Sequence, residues 1–244
     1  MNLYLLGFYF SLLICYGLIG LYSHFNIDVT KSDIPELHHL DTFKFRYLTF
    51  WNMLAQSTYA IFSIYAEIRP RFSKNTALSI FNFEKIKGFL YVGVVVPSAF
   101  FVFGTFWILW IVDRELVFPK AFDEFVPQWI NHCLHTSIVI LPVVEFFSKK
   151  VVPSWKWTFL GITAYFWIYQ ATVLYTYYES SVWLYKVFAV LPWPKKICYM
   201  LFNYSTSVVF MHIAWILHNN VNCRIYRKYY EMQPIHKDIV KKLT

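Results

Sequence analysis

"GFLYVGVVVPSAFFVFGTFWILWIV", Gly88 to Val112, runs for 25 residues without a charged side chain. About 20 mostly apolar residues suffice to cross the hydrocarbon core of a bilayer as a helix. The run therefore reads as a membrane span, not as one buried helix of a soluble domain. The rest of the chain follows suit. Of its 244 residues 58% are hydrophobic, 22% aromatic and only 15% charged, where soluble domains carry about 25% charged residues.

Six blocks have this character: 3–22, 45–66, 88–112, 127–147, 157–178 and 197–220. Backbone N–H and C=O groups in hydrocarbon must be satisfied inside the segment, so spans of this length are helices. The connecting loops are short and no 20–50-residue repeat is visible. The expectation is an all-α polytopic membrane protein: one integral domain over 1–244, six transmembrane helices in a compact bundle, and a basic tail over 221–244. The N-terminal "MNLYLLGFYFSLLICYGLIGLYS" lacks a basic leading region and a clean cleavage site, and reads as a retained first span.

With six spans, the N-terminus, the second and fourth loops and the C-terminal tail share one side. That side holds 14 of the 22 Lys and Arg residues: Arg69, Arg71, Lys74, Lys85 and Lys87, then Lys149, Lys150 and Lys156, then Arg224, Arg227, Lys228, Lys237, Lys241 and Lys242. The positive-inside bias places it, and both termini, in the cytosol. The net charge of +8 is thus a matter of loop sidedness and does not point to nucleic acid. The chain ends "VKKLT", with Lys241 and Lys242 at the third and fourth positions from the C-terminus. That pattern matches a dilysine retrieval signal for the endoplasmic reticulum; as a plain solvated tail it leaves the plasma membrane open. The four cysteines, Cys15, Cys133, Cys198 and Cys223, have no metal or disulfide spacing and read as buried thiols. The sequon Asn203-Tyr204-Ser205 lies inside an apolar block, out of reach of glycosylation.

Polar groups gather at the non-cytosolic end. In "WINHCLHT", residues 129–136, His132 and His135 lie in the first turns of the fourth helix. His135 is about 12 Å below a helix start at Pro127, and Thr49 about 6 Å below Phe45 on the second helix. Arg46, Asp113, Arg114 and Glu115 belong to the same end. Ionisable groups inside a membrane protein usually face the bundle interior and mark a functional pathway. Thr49 can be a nucleophile, His135 its base, Asp113 the group orienting the imidazole, and Asn131 or a backbone N–H the stabiliser of an oxyanion. His132 lies within one turn of both Asn131 and His135. Other readings stay open on residues alone. Thr49 can bond its own helix backbone while the histidines pack helices together. Alternatively, His132 and His135 with His212 and His218 can hold a metal, although a single H-x-x-H is sparse for that. A transporter is a further reading, but no paired broken-helix signature supports it.

Three segments carry a resemblance to a known family. They are "RYLTFWN" (46–52), "FWILWIVDRELVFPK" (106–120) and "VPQWINHCLHTSIVILPVVE" (126–145). In order and spacing they resemble the family of the androgen-induced gene product and the androgen-dependent tissue-factor-pathway-inhibitor-regulating protein. The alignable part runs from about Phe45 to Glu145; the first helix and the last two are similar in hydropathy and placement only. Trp110 stands where that pattern has a tyrosine. The resemblance implies a multi-pass membrane hydrolase that cleaves fatty acid esters of hydroxy fatty acids with a threonine nucleophile and a histidine partner. The matching residues are Thr49 and His135.

The combined expectation is a hydrolase without metal or organic cofactor, its lipid substrate entering sideways from the bilayer. Thr49 and His135 are its catalytic pair, with Asp113, Asn131 and His132 as candidate supporting residues. Arg46 and Arg114 are candidate partners for the substrate carboxylate. The alternative is a non-catalytic membrane scaffold or signalling regulator.

Overall fold

A computed structural model describes residues 3–27, 35–68, 77–147 and 153–231, with the backbone alone at 35–36, 77–82 and 221–231. Every regular element among them is helical. α1 (Leu3–Asn26) turns Phe10, Ile14, Leu18 and Leu21 outward and buries only Tyr9 and Tyr16. A short α2 (Pro35–Thr42) and the 3-10 turn Lys44–Arg46 lead into α3 (Leu48–Ile68). α4 (Ala77–Leu90) passes through a π-helical turn, Tyr91–Val95, into α5 (Val96–Asp113). Then come α6 (Gln128–His135), α7 (Ile140–Phe146), α8 (Trp155–Ser180), α9 (Lys186–Val190) and α10 (Trp193–Glu231).

Four stretches among the described residues are long and apolar enough to cross a membrane: Leu3–Asn26, Phe83–Leu116, Gln128–Phe146 and Trp193–Asn220. α3 and α8, with 21 and 26 residues, have the length for a hydrocarbon core of about 30 Å at about 1.5 Å per residue. Their polar content sets them apart. α3 buries Asn52, Gln56, Tyr59 and Ser63 on one face, and α8 buries Thr158, Gln170 and Thr176. The inner helix of the bundle is the one formed by α4 and α5, whose π-helical turn Tyr91–Val95 is buried throughout. α1 lies against α3, α3 against α4, and α10 against both α5 and α8.

Two of the expected helices differ from their sequence reading, each near a proline. The third span begins earlier than residue 88, so Lys85 and Lys87 lie on α4 rather than in a loop. Pro97 has no N–H, and its ring crowds the carbonyl four residues earlier. The wider π-helical turn absorbs that conflict without breaking the helix. The expected fourth helix, 127–147, is interrupted by a 3-10 turn at Ser137–Val139. Pro142 leaves the carbonyl of Ile138 without its helical donor, and Gln56 Nε2 donates to that carbonyl at 2.8 Å instead. Close approach is permitted where a Cβ is missing: at Gly161 a Cβ would meet the Phe89 ring at 2.7 Å.

Three residues of the polar face of α3, Asn52, Gln56 and Tyr59, are bonded to neighbouring helices, while Ser63 Oγ and Asn52 Nδ2 have no hydrogen-bond partner among the described residues. Ser98 Oγ donates to Asn52 Oδ1 at 2.9 Å, and the Tyr16 hydroxyl donates to Gln56 Oε1 at 2.7 Å. The Tyr59 hydroxyl donates to Glu145 Oε2 at 2.8 Å, and the Tyr9 hydroxyl donates to Glu145 Oε1. Glu145 is fully buried, and Lys87, 5% exposed, lies 5.9 Å from the ring centres of both tyrosines. Lys87 is thus an interior cation, not one of the solvated charges counted for sidedness. Arg69, Arg71, Lys74, Lys149, Lys150 and the Lys241-Lys242 pair lie outside the described residues, and no side chain is described for Arg224, Arg227 or Lys228. The cysteine reading is corrected. Cys15 and Cys198 are on the outer surface and Cys133 is half-buried, all three free. An apolar thiol gains little from the interior when the surroundings are themselves hydrocarbon.

Removing the Glu145 carboxylate strands two buried hydroxyls at once. Glu145→Ala is expected to destabilise the purified protein by roughly 3 kcal/mol or more, and Tyr9→Phe by about 1 kcal/mol. Denaturation midpoints in detergent should fall in that order.

Candidate active site

Thr49 is the second residue of α3. The start of that helix is held by two phenols from distant parts of the chain. Leu48 N–H is 3.0 Å from the Tyr169 hydroxyl and 3.1 Å from the Tyr185 hydroxyl, and the two hydroxyls are 2.7 Å apart. Burial pushes the Tyr185 phenol, in the loop before α9, up to about 12, so it is neutral at physiological pH. Tyr47 stands edge-on to Tyr185, and Trp51 edge-on to Tyr169. The next two N–H groups, of Thr49 and Phe50, have no backbone acceptor among the described residues. That is the usual state of a helix's first turn, where the amides also carry the positive end of the helix dipole.

His135 is the last residue of α6. Its Nε2 lies 3.1 Å from Thr49 Oγ1, and its Nδ1 lies 3.1 Å from the Asn131 carbonyl oxygen. A carbonyl oxygen can only accept, so Nδ1 carries the proton and donates it. Nε2 is left with its lone pair facing the Thr49 hydroxyl, which donates to it. The Phe106 ring covers the imidazole, with centroids 3.6 Å apart and planes within 7°. This is the protonation pattern a general base requires.

Both side chains open onto a cavity of about 710 Å³. It runs from α1, at Ile19 and Ser23, past Thr49 and His135 to α8 and α10, at Val173 and Asn203. Its walls are mostly apolar. Asn131, 3% exposed, is part of the wall, and its buried Nδ2 has no hydrogen-bond partner among the described residues. Gln170, on the far wall, is 4% exposed, and its Oε1 has no hydrogen-bond partner among the described residues.

The residues singled out in the sequence divide sharply here. Thr49, His135 and Asn131 come together on the cavity. Asp113 does not join them: it is exposed, and its carboxylate accepts the Glu115 N–H at 3.0 Å. The group behind the imidazole is a main-chain carbonyl of its own helix. His132 points away, its ring over Trp107 and its Nδ1 3.2 Å from Thr136 Oγ1. Arg46 is off the cavity wall, paired with Glu179 at 2.6 Å and Thr176 at 3.2 Å. Arg114 is likewise off it, bonded through two nitrogens to Asp123. The basic side chains on the wall are Lys44, paired with Asp41 at 2.9 Å, and His24. His212 accepts from Trp155 Nε1, and His218 is buried between the rings of Tyr91 and Phe146. No group of three His, Cys, Asp or Glu with metal-binding geometry forms among the described residues.

Tyr169, Tyr185, Phe106 and Gln170 were not singled out in the sequence. A tyrosine in an apolar block of a chain that is 22% aromatic carries no distinguishing signal.

A model of the family described as "FAR-17a/AIG1-like protein" matches residues 8–222. Among curated proteins, the chain is 27% identical over 180 residues to the androgen-dependent TFPI-regulating protein of Homo sapiens, covering 73% of this chain and 76% of that one. The protein of the same name from Mesocricetus auratus is 30% identical over 196 residues, covering 79% and 78%. The androgen-induced gene 1 protein of Homo sapiens is 25% identical over 127 residues, 52% of each chain. No solved structure matches.

Because either phenol alone leaves Leu48 N–H with an acceptor, Tyr169→Phe and Tyr185→Phe are each expected to destabilise by about 1 kcal/mol or less. The double variant strands a buried N–H and should exceed the sum of the singles by about 1 kcal/mol. A double-mutant cycle on denaturation midpoints measures the excess.

Proposed function

The chain belongs to the FAR-17a/AIG1-like family, and on that premise we propose that it is an intramembrane ester hydrolase acting on fatty acid esters of hydroxy fatty acids. The observation that carries this reading is the Thr49–His135 contact with its forced tautomer: Nδ1–H donates to Asn131 O, leaving Nε2 as base at 3.1 Å from the hydroxyl. Thr49 Oγ1 attacks the ester carbonyl carbon while His135 Nε2 takes its proton. The negative charge that forms on the carbonyl oxygen is met by the Asn131 amide and the first-turn N–H groups of α3, which bring the helix dipole with them. His135 then passes the proton to the departing alkoxide, releasing the hydroxy fatty acid and leaving an acyl-Thr49 ester. Water, deprotonated by His135, cleaves that ester, and the proton returns to Thr49. Two carboxylic products are released and no cofactor takes part.

The long apolar cavity, reaching from α1 to α10, suits a substrate with a chain on either side of its ester. Its free carboxylate meets Lys44 and His24, which are on the wall, rather than Arg46 or Arg114, which lie off it, and at Lys44 it competes with Asp41, paired there at 2.9 Å. α3 and α8 complete a six-span topology with the four clearly apolar helices, in one domain with both termini in the cytosol. Lys241 and Lys242 would then return the protein to the endoplasmic reticulum. A second reading, a non-catalytic membrane regulator, draws on the "TFPI-regulating" name of the relatives.

A fluorophosphonate probe separates the two readings. Labelling of the wild type that is lost in both Thr49→Ala and His135→Ala is the expected result. Well-folded wild type that never labels, and never hydrolyses a panel of branched fatty esters, favours the regulator. Asp113→Asn is expected to keep activity within about twofold, because surface changes away from the site typically amount to less than about 0.5 kcal/mol. Lys44→Ala should raise KM for acidic esters about threefold to tenfold, in line with charge-assisted contacts at a partly exposed site, and leave neutral esters unchanged.

A further inference from the structure

The reaction just described makes His135 an imidazolium twice in each cycle, and the site lacks the usual counter-charge. Asp113 is bonded to Glu115 N–H on the bundle surface, and Glu145 is bonded to Tyr9 and Tyr59. No carboxylate hydrogen-bonds to the imidazole among the described residues. A charge buried in apolar surroundings is costly unless something compensates it. Two described contacts of the ring besides Thr49 bear on that charge. One is the Asn131 carbonyl. The other is Phe106, 5% exposed, a cavity-wall residue whose ring lies parallel to the imidazole at 3.6 Å between centroids.

We propose that Phe106 is a positioning residue that favours the charged state of His135 through its π face, in the place a carboxylate holds in other hydrolytic triads. The inference rests on the hydrolase reading. The face of a benzene ring is its negative side, so it attracts a cation laid over it more than a neutral heterocycle of the same shape. The attraction is therefore stronger after proton transfer than before. Only such differential interactions accelerate a chemical step. Phe106 does so without a permanent charge, which would itself need a partner when the cavity is filled with lipid. Its place on α5 is secured by edge contact with Trp107 and a tilted contact with Trp110. The ring also confines His135 to the orientation in which Nδ1 faces Asn131 O and Nε2 faces Thr49.

Graded fluorination of this one ring tests the proposal, because each fluorine weakens the negative face while the shape changes little. Mono-, di- and trifluorinated phenylalanine are installed at position 106 of the full-length protein. Acyl-enzyme formation and KM are then measured beside wild type, Thr49→Ala and Phe106→Leu. The logarithm of the acylation rate should fall linearly with fluorine number, to about tenfold slower for the trifluorinated ring, with KM and the denaturation midpoint unchanged. Phe106→Leu, which keeps an apolar side chain but no π face, should be slower still. A flat rate series in a protein whose wild type reacts and whose Thr49→Ala variant does not would overturn the role of the π face while leaving the hydrolase reading intact. A series that moves KM or stability instead of rate would make Phe106 merely a wall of the cavity. A wild type that never acylates removes the hydrolase reading and this inference with it.

Discussion

Polar groups inside a helical bundle surrounded by hydrocarbon cannot turn to water, so each must find a partner on another helix. The polar face of α3 meets that constraint over its first three turns. Asn52 meets Ser98 of α5, Gln56 meets Tyr16 of α1 and the Ile138 carbonyl, and Tyr59 meets Glu145 of α7. These bonds set the depth and rotation of α3 against its neighbours, and hence where its first turn stands. Thr49 is on that first turn, and its distance from His135 follows from bonds made one to three turns deeper.

Gln56 joins two of these requirements. Pro142 deprives the Ile138 carbonyl of its helical donor, and the Gln56 amide supplies another from α3. The same interruption lets α6 end at His135, where a 3-10 turn takes over at Ser137. A continuous α-helix through residues 127–147 would offer no such break beside His135. The proline, seven residues after His135, and the glutamine, seven residues after Thr49, therefore help to orient the imidazole. Leu48 N–H, held between Tyr169 and Tyr185, is the matching device on the side of Thr49.

On the proposed function, the site also differs in electrostatic character from triads built on a buried aspartate. A carboxylate in an apolar, lipid-filled cavity would have to be desolvated and kept paired through the cycle. Here a backbone carbonyl and an aromatic face stand in that position. Both are neutral and both favour positive charge on the ring. The cations at this end of the molecule, Arg46 and Arg114, are committed to Glu179 and Asp123 and brace the bundle's rim. Glu145 and Lys87, the buried charged residues at the other end, secure α1 through Tyr9.

Much of this was legible in the sequence, because lipid imposes a coarse and one-dimensional rule. Long uncharged runs such as Gly88–Val112 must be helices, and rare polar residues such as Thr49, Asn131 and His135 must face inward. Both follow from composition along a line, as does the family resemblance carried by the motifs around them. What the line could not contain was pairing in space. Asp113 and His135 belong to one end of the bundle, yet the carboxylate turns to its own chain two residues on, since a nearby N–H costs less order than a distant imidazole. Tyr185 reaches Leu48 across 137 residues, and Phe106 meets His135 face to face. Such contacts depend on helix rotation to within a fraction of a turn. Only the packed tertiary structure decides that, because rotation is set by all the interhelical bonds together and by no single residue.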